Sequence, residues 1–169
     1  MSDLTPIERL QPCLLDRLTD DEPTKPVESS RERVVSMQRY RSGVLRDLGW
    51  LFNSNAFLYE GGDNALKLKY PNVHDSVINF GIRQLCGVVS PDLERLQEDL
   101  EAAIKVFEPR IISRSLTIHV DTERNMLTVE VEGDLWALPL PAHLHLRTVL
   151  DVENGQCQLG DSGHGRTAA

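Results

Sequence analysis

A chain of 169 residues, 40% of them hydrophobic and with a formal net charge of −8, suits one ordinary domain with a single core plus arms. That acidic balance argues against non-specific binding to nucleic acid or an anionic membrane, and it is compatible with a basic protein partner. No stretch approaches the roughly 20 apolar residues of a membrane span, the opening MSDLTPIERLQP has no secretory pattern, and Cys13, Cys86 and Cys157 are too scattered for a metal or redox motif, so reduced thiols in a cytosolic protein are expected.

Residues 1–30 hold Pro6, Pro12, Pro23 and Pro26, four of the nine prolines, and read as a flexible arm. Within it, PCLLDRL sets Leu14, Leu15 and Leu18 as a short apolar stripe. The stripe is either a surface that docks on something else or a one-turn helix folded back on its own domain.

A long helix is expected from about 31 to 53. Ser29 and Glu32 have the spacing of a capping box. Met37, Tyr40, Val44, Leu48, Leu51 and Phe52 recur at helical spacing and should form its buried stripe. Arg31, Arg33, Arg39, Arg41 and Arg46 make it the most basic part of the chain, as a solvated face or as a site for an acidic partner.

A loop with a Gly61-Gly62-Asp63 turn follows; no Gly-Lys-Ser/Thr comes after it, so it is not a phosphate loop. The alternation in ALKLKY suggests a short edge strand at 65–70. VHDSVINF suggests a short helix at 73–80, closed by Gly81. Ser90-Pro91 then has the cap and first-turn proline of a second long helix. Leu93, Leu96, Leu100, Ala103, Ile104 and Phe107 run along one face of it, and Asp92, Glu94, Glu98, Asp99 and Glu101 solvate the rest.

After Pro109 the period changes from 3.6 to 2. Ile112, Leu116, Ile118 and Val120, then Leu127, Val129 and Val131, alternate with polar residues around the turn DTERN and predict a hairpin. A third strand at 143–150 sets Leu144, Leu146 and Leu150 opposite His143, His145 and Arg147. Asn154-Gly155 marks a turn, and the tail from 156 to 169 is expected to be disordered. The fold class is α+β: N-terminal helices packed on one face of a small antiparallel C-terminal sheet, in a domain of residues 31–155.

Candidate chemistry is sparse. His119, His143 and His145 fall on one sheet face, but Cys or carboxylate partners at zinc spacing are not apparent, and no metal or cofactor is expected. The run IKVFEPRIIS places Glu108, Pro109 and Arg110 between two apolar stretches. As a glycosidase acid, Glu108 needs a raised pKa, and a cation two positions away acts in the opposite direction.

Several stretches, in this order, carry a resemblance: LLDRL, YRSGVLRDLGWLFN, SVINFGIRQL, FEPRI and the closing HLHLRTVLDVENG. Over residues 13–155 the chain resembles the TssE family of type VI secretion baseplate subunits, itself similar to the lysozyme-like wedge proteins of contractile phage baseplates. The resemblance implies a cytoplasmic structural protein, not an enzyme. It implies binding to the baseplate subunits TssF, TssG and TssK, and a platform on which a contractile sheath of TssB and TssC begins to assemble. It also marks Glu108, Pro109 and Arg110 as the signature. Asn53-Ser54-Asn55 stands where family members often have Asn-Thr-Arg, and Ile82-Arg83-Gln84 where a Pro-Asp step is usual. The alternative is a peptidoglycan-cleaving glycosidase. On the partner reading, Glu108 and Arg110 project from a junction stiffened by Pro109 and meet a partner, so that Glu108→Ala and Arg110→Ala melt normally but lose that partner; the competing reading is that both side chains lock the helix to the sheet within this chain, and the variants then melt early.

Overall fold

The long basic segment becomes a helix only from Met37. Val35 is extended and buried, its N–H donating to the Leu10 carbonyl at 3.0 Å in an isolated antiparallel bridge. Ser36 then caps the helix, its hydroxyl accepting from the Arg39 N–H at 3.2 Å. The expected start at 31 is therefore corrected: the extended Val35-Ser36 step comes first. The computed structural model describes residues 10, 13–19, 23–24, 35–56, 69–82, 92–123, 126–137, 141–151 and 157–161.

Among the described residues, two longer helices and four strands make the domain. Helix α1 is Leu14–Leu18, α2 is Met37–Phe52 and α3 is Leu93–Phe107. Helix α2 buries Tyr40, Gly43, Val44, Leu48, Leu51 and Phe52, as its periodicity required, whereas Met37 at its first turn is exposed. Helix α3 buries Leu96, Leu100 and Ile104, with Leu93, Ala103 and Phe107 partly covered beside them. Its cap is Asp92, which accepts from the Arg95 N–H at 3.2 Å, rather than Ser90. A carboxylate there also complements the positive helix end.

Strands β1 (Thr117–Glu123), β2 (Met126–Leu135), β3 (Ala142–Asp151) and β4 (Cys157–Asp161) form an antiparallel meander in chain order. Val120 faces Val129, Val131 faces Leu146, and Leu150 faces Cys157. Ile118, Val120, Leu127, Val129, Val131, Leu144 and Leu146 point inward and join the helical stripes in one core. Helix α3 lies against β1, and α2 against β4. Burying this apolar face with two amphipathic helices is the α+β arrangement expected from the change of period.

Three details depart from the sequence reading. The chain at 113–115 is a turn, so Ile111 rather than Ile112 is buried and bridges to Leu135. Residues 73–80 form no continuous helix; two 3-10 turns, Pro71–Val73 and Val77–Asn79, replace it. The expected disorder from 156 does not hold at 157–161, where β4 pairs with Leu146–Leu150. That strand is fastened by Asn53, whose side-chain amide accepts from the Cys157 N–H at 3.0 Å and donates to the Cys157 carbonyl at 3.2 Å.

Gly81 does terminate its segment with positive φ, at 132°. A Cβ at this position would lie 2.4 Å from the Ser54 carbonyl oxygen, so the close approach of the 54–56 and 82 backbones requires glycine. The Gly61-Gly62-Asp63 turn, Asn154-Gly155, the capping pair at 29 and 32, and most of the 65–70 edge strand lie outside the described residues. Among the described residues, no helix is long and apolar enough to cross a membrane.

Candidate functional site

Proline at 109 removes a donor and obstructs further helix, so α3 stops at Phe107 with Glu108 as its C-cap. The Glu108 N–H still donates to the Ile104 carbonyl at 2.8 Å, and the Ile111 N–H donates back to the Glu108 carbonyl at 3.1 Å. Between them, the Arg110 carbonyl accepts from the Trp136 N–H at 2.7 Å. The Tyr40 hydroxyl in turn donates to the Trp136 carbonyl at 3.0 Å. The Glu-Pro-Arg junction is thus tied by main-chain bonds to α3 and to the chain leaving β2, and that chain is tied to α2.

The side chains extend this fastening. Glu108 is only 3% exposed, and a charge so buried needs a partner. Arg110 supplies it as a fork: its Nε donates to Glu108 Oε1 at 2.5 Å and its Nη2 to Glu108 Oε2. The same Nη2 donates to Asp47 Oδ2 on α2 at 2.5 Å. Asp47 Oδ1 accepts from Arg46 Nε at 2.9 Å, and Arg46 Nη1 reaches Asp16 Oδ1 on α1 at 2.5 Å. Cys13 completes the line by donating to Asp16 Oδ2 at 3.0 Å. Five charged groups therefore alternate in sign from the end of α3, across α2, to α1.

Gly43 on α2 lies beneath this line. A Cβ there would stand 3.3 Å from Asp16 Oδ2 and 3.7 Å from Arg110 Nη1, so the missing side chain lets both approach the helix. The charges reinforce one another. Burial opposes the charge on Arg110, but bonding and attraction from Glu108 and Asp47 outweigh it and raise its pKa. Arg46 is raised too, chiefly by its bond to Asp16. Burial pushes the Asp16 carboxyl upward, yet hydrogen bonds from Cys13 and Arg46 and the charges of Arg46 and Arg110 hold it below its ordinary value. Tyr40 is raised mainly by burial, with Arg110 opposing and Glu108 adding to the effect. The site is a charged lock whose cations keep their protons.

The structure brings Glu108 and Arg110 together, but not as projecting groups. Glu108 is turned inward, and the Arg110 side chain, 18% exposed, is engaged within the chain. The expected outward orientation is corrected in favour of a lock within the chain: the fork geometry pairs the two residues with each other, and Asp47 shares the Nη2 donor. Asp47 and Asp16 escaped the sequence reading, and Arg46 entered it only as one of the basic residues of the long helix. The two acids' only signal was their position inside two of the stretches that carry the resemblance, YRSGVLRDLGWLFN and LLDRL.

The three histidines do share the outer sheet face, each opposite an acid of β2. His119 pairs in register with Glu130; His145 lies 3.5 Å from Glu132 and His143 3.2 Å from Asp134. Among the described residues, no three His, Cys, Asp or Glu groups converge as metal ligands would.

No curated protein and no solved structure matches the chain. A family model described as baseplate wedge protein gp25 matches residues 38–140, a span running from α2 through the Glu-Pro-Arg junction to beyond β2. With more than half of its length matched by that model, the chain belongs to the baseplate wedge protein gp25 family.

Proposed function

We propose that this protein is a TssE-like subunit of a type VI secretion baseplate. On this reading it is a cytoplasmic structural part without catalytic activity. It binds TssF, TssG and TssK and offers a platform for the TssB–TssC sheath. The observation that carries the reading is the family match over residues 38–140. The order of LLDRL, YRSGVLRDLGWLFN, SVINFGIRQL and FEPRI narrows it to the secretion branch.

Two structural features support it. Glu108, the natural candidate for a glycosidase acid, is buried with both carboxylate oxygens on Arg110, which leaves it poorly placed to protonate a sugar. Among the described residues, meanwhile, the sheet ends in two edges, β1 and β4, while β3 is interior. The third strand expected at 143–150 is therefore not an edge; β4 takes that place. An edge strand presents unpaired donors and acceptors to which a sheath segment can add.

The test is co-expression with TssF, TssG and TssK, followed by capture, and sheath assembly in the presence of proline-scanned β1 and β4 variants checked by circular dichroism. Capture together with loss of sheath assembly from one edge supports the reading. Absence of any capture, or clearing of intact peptidoglycan that disappears in Glu108→Gln, overturns it.

A further inference from the structure

The two edges of the sheet are not equivalent. At the Ile111–Leu135 bridge, the Asp134 carbonyl accepts from the Ile112 N–H at 2.8 Å, and the Trp136 N–H donates to the Arg110 carbonyl at 2.7 Å. Even-numbered residues of β2 therefore turn their main-chain groups toward β1, where Glu132, Glu130 and Thr128 meet Thr117, His119 and Asp121. Alternation then sends the N–H and C=O of Ile118, Val120 and Thr122 away from β2 and out of the edge. The Thr122 N–H agrees, since it donates to Asp121 Oδ1 at 2.8 Å. Among the described residues, no main chain pairs with Ile118 or Val120 on that side.

The β4 edge, by contrast, is closed where it begins. Asn53 takes both the N–H and the C=O of Cys157, as a neighbouring strand would, and α2 lies against this strand. A side-chain amide at a helix end thus occupies the first pairing position of β4, while β1 keeps its own open.

Charge points to the same edge. On the outer sheet face, Glu130 lies between His119 and Arg147, Glu132 lies opposite His145, and Asp134 opposite His143. Asp121 is exposed and faces Thr128, with Val149 beyond, so these neighbours across the sheet offer it no base. A strand added along β1 sets one of its own side chains beside Asp121, and opposite charges across a strand pair are favourable. Its inward side chains continue the buried layer of Ile118 and Val120. We infer that β1 is the edge to which a strand adds, and that it takes an extended sheath segment of alternating apolar and polar residues with a Lys or Arg opposite Asp121. This inference rests on the baseplate reading above and narrows it to one edge.

The experiment follows residue-resolved hydrogen exchange of the full chain, free and in a co-expressed complex with TssF, TssG, TssK, TssB and TssC. In the free chain, Ile118 and Val120 amides should exchange about ten-fold or more faster than those of His119 and Asp121, which pair with β2. In the complex, Ile118 and Val120 should slow by about ten-fold or more, while Leu159 and Asp161 keep their free-chain rates. Asp121→Lys should reduce sheath capture by about five-fold at unchanged melting temperature. Asp121→Asn, which keeps an acceptor for the Thr122 N–H, should reduce it by about two-fold. New protection at Leu159 and Asp161 instead, or full sheath capture by Asp121→Lys, overturns this inference and leaves the baseplate reading standing. Capture of TssF, TssG and TssK without the sheath proteins does the same. Self-association of the free chain that protects Ile118 and Val120 also overturns it, by assigning the edge to a second copy. Capture of nothing by wild type removes the baseplate reading itself, and this inference with it.

Discussion

The guanidinium of Arg110 reaches Asp47, 63 residues earlier in the chain, with Nη2 2.5 Å from Oδ2. The Glu-Pro-Arg junction is thereby a tertiary fastening between α3, α2 and the sheet. Its charges act first on this chain's own architecture.

Glu108→Ala should melt early. Removing one member of a buried pair leaves the other uncompensated, at a cost of about 3 kcal/mol. For a chain of this size that lowers Tm by roughly 10 °C. Scanning calorimetry of Glu108→Ala and Glu108→Gln measures it, with the glutamine variant, which keeps a polar acceptor, expected in between. A wild-type Tm in both would return the junction to an exposed role.

Asn53→Ala should loosen β4 selectively. The amide both donates to and accepts from the Cys157 main chain, so its loss leaves two half-buried groups unpaired, at about 1–3 kcal/mol. Hydrogen exchange should accelerate at 157–161 while the β1–β2 pairing keeps its protection. Equal protection at β4 in both proteins would show that packing against β3 suffices.

Gly81→Ala combines positive φ with a backbone clash at 2.4 Å. Flexible side chains cannot relieve it, since the obstructing atom is the Ser54 carbonyl. A loss of about 2 kcal/mol or more is expected in urea unfolding. A variant as stable as wild type would contradict the tight approach of residues 54 and 81.

Acid should release α1 before it unfolds the core. Asp16 ionises below its ordinary value near 3.8, so the stability it contributes is fully present above that value and is lost as pH falls through the lower folded value. The groups around it are Arg46, Arg110, Asp47 and Cys13, and neither arginine changes charge in that range. Arg46 stacks over Trp50, its guanidinium carbon 5.1 Å from the ring centroid, so Trp50 emission in a Trp136→Phe background reports the change. A transition below pH 4 that Asp16→Asn abolishes is expected. One that persists in Asp16→Asn belongs to other carboxylates.

Much of this fold is legible in the sequence because its signals are periodic. Tyr40, Val44, Leu48 and Leu51 mark α2 at intervals of three and four, and Leu127, Val129 and Val131 mark β2 at intervals of two. Strand β4 has no such signal, since its short Cys-Gln-Leu-Gly-Asp run takes its anchor from an asparagine 104 residues away. The site divides in the same way. The Glu108–Arg110 pair is local and could be read, but which way Glu108 faces depends on Asp47 and on the packing of two helices. Asp16 looks like a solvated acid among leucines, and only the tertiary position of Arg46 reveals that the acid is inside and the leucines outside.

The central claim is that this wedge-family chain uses its junction as an internal lock and meets the rest of the baseplate elsewhere. Hydrogen–deuterium exchange of the free chain against the chain captured with TssF, TssG and TssK tests it most directly. The account predicts new protection along β1 or β4, with the amides of Glu108, Arg110 and Ile111 already protected in the free chain. Fast exchange at the junction in the free chain that becomes protected only in the complex would contradict it.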